Sequence, residues 1–246
     1  MIKFFRNIRK KLLSEGKISN YLKYALGEIV LVVIGILIAL QINNWNVNRL
    51  EKRSENKILD NLHSEFEENL KDLDNINVEL QETINSMEKV FELFRTEDLP
   101  YTSHQLDSLL SQSLNSPTWK PSDFVLNELK NSGGLSKLGN EDLKRLLFEW
   151  SRSFAELQEI QTQTENTNIA LIHYIKQHGS LRNIDHLGKY FTYPPSNIHQ
   201  GNQILLKEFQ FENYIDDKLY ILRQQVEFFK TTKTLISKIL KLTEPA

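Results

Sequence analysis

The sequence predicts an all-α protein: one N-terminal transmembrane helix, then an antiparallel extracytoplasmic helical bundle with long helices. Three observations predict it. Residues 25–42 are apolar apart from Glu28 and Gln41, and at about 1.5 Å per residue such a helix is close in length to a bilayer's hydrocarbon core. Residues 46–94 contain neither glycine nor proline, and their apolar side chains recur by threes and fours, as along a helical seam. The chain has 9 glycines, 6 prolines and no cysteine. Little therefore punctuates it, and a disulfide framework or a thiolate metal site is excluded.

Residues 1–23 form a basic cytoplasmic segment, with Lys3, Arg6, Arg9, Lys10, Lys11, Lys17 and Lys23 against Glu15 alone. Ile2, Phe5, Ile8 and Leu12 fall at helical spacing. This fits either an amphipathic helix lying on lipid headgroups or a disordered basic stretch. Residues 24–45 are the span. Tyr21, Tyr24 and Trp45 bracket it, where amphipathic rings favour the interface. A helix of a soluble bundle would show a polar face, and residues 29–40 have none. A cleaved signal peptide would have a shorter apolar run and a small-x-small site after it, so a retained signal anchor is expected.

Charge orients the span. Seven basic residues precede it and four follow closely, Arg49, Lys52, Arg53 and Lys57. The bias predicts an inner-membrane protein with its N-terminus in the cytoplasm and residues 46–246 in the periplasm. Residues 1–60 carry 11 basic and 5 acidic residues, a net of +6, and the rest carries 19 and 27, a net of −8, giving −2 overall. The basic start suits anionic lipid, and the acidic remainder argues against nucleic acid.

The opening MIKFFRNIRKKLL, together with GEIVLVVIGILIALQINNWN at residues 27–46, resembles the "domain of unknown function 6090" membrane proteins of Bacteroidota. SDFVLNELKNSGGLSKLGNEDLKRLL at residues 122–147 is similar to that family's weaker second signature. The resemblance implies a single-span inner-membrane protein of a Gram-negative cell. The family offers no catalytic residues, so the resemblance implies a location and no mechanism.

Within residues 46–246 the first seam is Phe66, Leu70, Leu73, Asn77, Leu80, Ile84, Met87, Phe91 and Phe94, with Asn77 its one polar member. Glu65, Glu67 and Glu68 form a charge run expected to face solvent. Pro100, Pro117 and Pro121 then mark a connecting region. Leu106, Leu109, Leu110 and Leu114 suggest a short helix in it, and Ser122 or Asp123 can cap another that Gly133-Gly134 ends. Asn140 caps a second long helix, with Glu141 and Asp142 in its first turn.

That helix has the seam Leu143, Leu147, Trp150, Phe154, Leu157, Gln161, Thr164, Asn168, Leu171 and Ile175. Its middle three positions are polar, which leaves two readings. The buried face drifts, so that Ile160 and Ile169 take over the core. Alternatively the polar stretch lines the bundle interior, joined by Asn77, and receives a ligand. Residues 179–207 break the helical pattern with Gly188, Pro194, Pro195 and Gly201. Tyr190, Phe191 and Tyr193 make this stretch either a partner-binding loop or a loop packed on the bundle. The last helix, residues 208–242, carries the stripes Phe211, Ile215, Leu222, Val226, Phe229, Ile236 and Tyr214, Ile221, Phe228, Leu235.

No motif that carries chemistry is present. His173 and His178 are five apart and do not share a helix face as an i, i+4 pair would. There is no His-Glu-x-x-His, Gly-x-Ser-x-Gly or phosphate loop. No enzyme activity and no cofactor are expected. The expected partners are membrane lipids and either a second copy or another membrane protein. Glu28, Gly35 and Ala39 lie on one face of the span, where a small-xxx-small pair lets two helices approach. The expected role is protein interaction or ligand sensing through a partner. The alternative is a scaffold self-assembling through span and stalk.

Overall fold

The computed structural model describes residues 7, 18–94, 96–188, 192–198 and 201–245. Most of the basic segment 1–23 lies outside the described residues, as do Tyr190 and Phe191. The described residues contain helices and no strand. The chain divides into two units, Met1–Lys57 and Ile58–Ala246, and the boundary falls within the first long helix, α1, Ile18–Leu93.

In the first unit, α1 carries the only stretch among the described residues long and apolar enough to cross a membrane, and none of its most apolar window is buried. A core helix of a soluble bundle would be mostly covered. Leu31 is 69% exposed, and a Cβ added to Gly35 would meet nothing within 4 Å. At the end of the apolar run the Arg49 guanidinium lies 5.3 Å from the centre of the Trp45 ring.

The second unit holds the rest of α1, then α2 (Ser103–Ser113), α3 (Phe124–Ser132), a 3-10 turn (Gly134–Lys137), α4 (Glu141–His178), the short α5 (Leu181–Asp185), a second 3-10 turn (Gln203–Lys207) and α6 (Phe209–Thr243). Local chemistry sets most boundaries. Thr102 and Gln105 form a capping box at the start of α2. Asn140 Oδ1 accepts from the Leu143 amide and starts α4. Gly133 ends α3 at φ 69°, a left-handed conformation that costs glycine little. Segment 179–207 departs from the helical pattern as expected, yet it contains α5, started by Ser180 accepting from the Asn183 amide. Five residues are too few to show a period.

Three long helices supply the core, and each has an uninterrupted heptad seam. On α1 it runs Leu62, Phe66, Asn69, Leu73, Ile76, Leu80, Thr83, Met87, Val90, all buried except the half-buried Ile76. This is one residue off the expected seam at several places: Leu70, Asn77 and Phe91 are half-buried at its edge. On α6 the seam is Phe211, Ile215, Lys218, Leu222, Gln225, Phe229, Thr232, Ile236, Ile239, all buried. The aromatic centre is Trp119, which meets Trp150 and Phe229 edge-on with centroids 6.0 and 5.8 Å apart, while Phe66 meets Trp150 at 4.9 Å. Ties between α1 and α6 run His63 to Thr243 (3.1 Å), Asp74 to Lys233 (2.5 Å) and Glu88 to Arg223 (2.7 Å), so residue numbers rise on one helix as they fall on the other.

Candidate functional site

The site is a gap in a helix. The segment α2–α3 runs along α1: Gln112 meets Ser86, Ser122 meets Asn69, and Val125 meets Glu65. Between the two helices, residues 114–123 are not helical. Pro117 and Pro121 lack an amide hydrogen and resist helix continuation. The backbone groups they leave unpaired lie against the bundle, where each needs a partner.

Polar seam residues of the three long helices supply those partners. Lys218 Nζ donates to the Ser113 carbonyl (2.7 Å), the Asn115 carbonyl (2.9 Å) and Asn168 Oδ1 (2.6 Å). Gln225 Nε2 donates to the Pro117 carbonyl at 3.3 Å and Gln161 Nε2 to the Trp119 carbonyl at 2.8 Å. Asn69 bonds both backbone groups of Ser122, donating to its carbonyl at 2.8 Å and accepting from its amide at 2.7 Å. Glu65 Oε1 accepts from the Ser122 hydroxyl (2.6 Å) and the Val125 amide (3.1 Å).

Two expectations are corrected here. Glu65 does not face solvent with Glu67 and Glu68: it is 7% exposed, and it is the carboxylate at the N-terminus of α3. Asp123, a candidate cap for that helix, makes no side-chain cap bond. Ser122 Oγ accepts from the Phe124 amide only at 3.4 Å.

Lys218 is fully buried. Its three hydrogen bonds go to neutral oxygens, and burial lowers the ammonium's pKa to about 7. The two carbonyls lie at and just beyond the C-terminus of α2, where the helix dipole presents partial negative charge.

Two hollows flank the strap 114–123. One, of about 740 Å³, is lined by Gln158, Gln161, Thr164 and Asn168 of α4, Gln225 of α6 and strap residues including Ser116. The other, of about 1060 Å³, lies among α1, α2 and α5, with Glu79, Glu82, Lys89 and Asp185 in its wall. Burial raises the Asp185 carboxyl's pKa, against the opposing pull of Lys176. Ser116 and Pro117 line both hollows. The Ser116 hydroxyl is buried without a hydrogen-bond partner.

The structure therefore gathers three of the residues singled out in the sequence, Gln161, Thr164 and Asn168, at one hollow. Ile169 is 57% exposed, so the face does not drift onto it. Asn77 does not line this hollow. Glu28 is half-buried, Ala39 is exposed and Tyr193 is 66% exposed, its carbonyl 2.6 Å from His186 Nδ1. Lys218, Gln225, Asn69 and Glu65 were missed. For the first three the signal existed: each completes a three–four spacing that an apolar-only reading skips. Among the described residues no group of three or more His, Asp or Glu side chains gathers to hold a metal ion.

Among the described residues this is an all-helical protein with one span-length apolar helix and a strap held by polar side chains through its second unit. Residues 28–113 match the model of a family described as "Family of unknown function (DUF6090)", a stretch that begins in the apolar run of α1 and stops at the last residue of α2. No curated protein and no solved structure matches the chain.

Proposed function

We propose that the chain is a single-pass inner-membrane protein whose second unit, an antiparallel bundle outside the cytoplasm, receives a ligand or protein and acts through a membrane partner. The orientation rests on the seven-to-four basic bias across the apolar run. The receiving role rests on one observation: the polar residues of the α4 seam open onto a solvent-reachable hollow and do not close into an apolar core. Such a hollow, lined by amides and hydroxyls with one charge of each sign in Glu165 and Lys120, suits a small polar molecule or a polar protein surface. No catalytic constellation is assigned to it.

Photo-crosslinking in intact cells tests this. A photoreactive side chain in place of Gln158, an exposed residue of the hollow's wall, should capture a distinct membrane protein, or lose its crosslinks when a small ligand is added. Capture of nothing but a second copy would favour the scaffold reading. That reading is supported by the open face around Gly35.

A further inference from the structure

We propose that residues 115–118 are a releasable gate between the two hollows, with Lys218 as its pin. Ser116 and Pro117 are the two residues that line both hollows. Release of this short stretch joins the spaces on its two sides. Its attachments differ from those of the neighbouring chain. Trp119, one residue on, is held by apolar packing against Trp150 and Phe229. Residues 115–118 are held by side chains reaching their carbonyls, Lys218 at Asn115 and Gln225 at Pro117, and by the Asn115 amide donating to the Gln112 carbonyl. Water can replace those bonds, as it cannot replace the tryptophan's contacts. Asn115 and Thr118 are already exposed, and Pro117 alone of the four is buried, so opening uncovers little apolar surface.

The pin holds the gate by one of its three bonds, the one to the Asn115 carbonyl, while Ser113 and Asn168 keep the lysine in place. Its ammonium gives up full hydration for neutral oxygens from Ser113, Asn115 and Asn168, and burial penalises its charged form. Opening lets water take the place of the Asn115 carbonyl at the ammonium. The buried Ser116 hydroxyl has no partner while the gate is shut, and it gains one when the gate opens.

The chain has no cysteine, so Ser116→Cys places a single thiol at the gate of the full-length protein. Its rate of modification by a thiol reagent, in detergent micelles, reads the open population. Adding Lys218→Met, which keeps the stem and removes the pin, should speed modification about tenfold or more, since a charge-assisted hydrogen bond is lost. A control thiol from Thr243→Cys should keep its rate. Thr243 is buried 18 residues along α6 from Gln225, about 27 Å away. An unchanged rate at the gate, or an equal rise at both thiols, overturns the proposal. If Lys218→Met does not fold, Asn168→Ala removes one acceptor and leaves the lysine, with the same two readings. Failure of both variants to fold makes Lys218 a structural support of the whole bundle, and the gate is rejected.

Discussion

Lys218 brings an ammonium into the bundle with neutral oxygens around it, and this has a consequence for stability. In the unfolded chain a lysine keeps its proton to about pH 10.5, whereas burial lowers the folded value to about 7. Between those limits the unfolded state binds more protons, so stability rises with pH, by up to about 1.4 kcal/mol per unit. Below pH 7 both states are protonated and the contribution is flat. Urea unfolding followed by tryptophan fluorescence should show wild type gaining on Lys218→Met from pH 7 to 9. An equal pH slope in both proteins would place the titration elsewhere. Glu65 has one oxygen committed to Ser122 and Val125 and the other buried without a partner. Glu65→Gln keeps the acceptor and removes the charge, and should cost less than Glu65→Ala, which leaves two donors unmet at about 1–3 kcal/mol. The same unfolding curves compare the two.

At the scale of elements, the broken helix α2–α3 explains why the long helices carry Asn69, Gln161, Lys218 and Gln225 in otherwise apolar seams. Its register against the bundle is set by Trp119, which is 2% exposed and wedged between Trp150 and Phe229. Trp119→Ala should destabilise the unit by about 3–5 kcal/mol. Ile169→Ser should change stability by no more than about 0.5 kcal/mol, because that residue lies outside the seam. A large loss at Ile169 would restore the drifting-face reading. Much of this was legible in the sequence. Leu143 through Ile175 is the seam that the spacing gives, and Gly133 and Asn140 bound their helices through chemistry that a sequence displays. Lys218, Gln225 and Thr232 complete the α6 seam, and the apolar pattern of that helix does not display them. The reason Lys218 and Gln225 are polar lies about a hundred residues away, in carbonyls that two prolines leave unpaired. A long-range pairing between side chain and backbone leaves no local signal. Glu65 is the clearest instance: its neighbours Glu67 and Glu68 are exposed, and only the approach of α3 makes it a buried cap.

At the scale of the whole molecule, the two units make separate predictions. The seams of Ile58–Ala246 bury one another without help from the apolar run. A chain of residues 47–246 should therefore give a helical spectrum and one cooperative unfolding transition. A strand-rich spectrum, or no transition, would contradict this. In the first unit none of the most apolar window is buried among the described residues, and that exposed apolar face calls for lipid, a second helix, or both. At about 100° per residue Glu28, Gly35, Ala39 and Asn46 fall within one narrow arc of α1. Small side chains at Gly35 and Ala39 let two backbones approach, and the space around Gly35 is open. Glu28 sits about a turn inside the apolar run, where a carboxylate favours a polar partner across an interface. Gly35→Ile adds bulk without charge, so it should abolish self-association and leave insertion intact. Glu28→Gln should weaken it less, since an amide still hydrogen-bonds between helices. Val33→Ile, on the opposite face, should have no effect. A membrane two-hybrid assay on residues 1–50 reads all three variants against the parent. If Gly35→Ile associates as strongly as the parent, this arc is not the contact, and Glu28 reaches toward the headgroups beside Lys23 or Lys3.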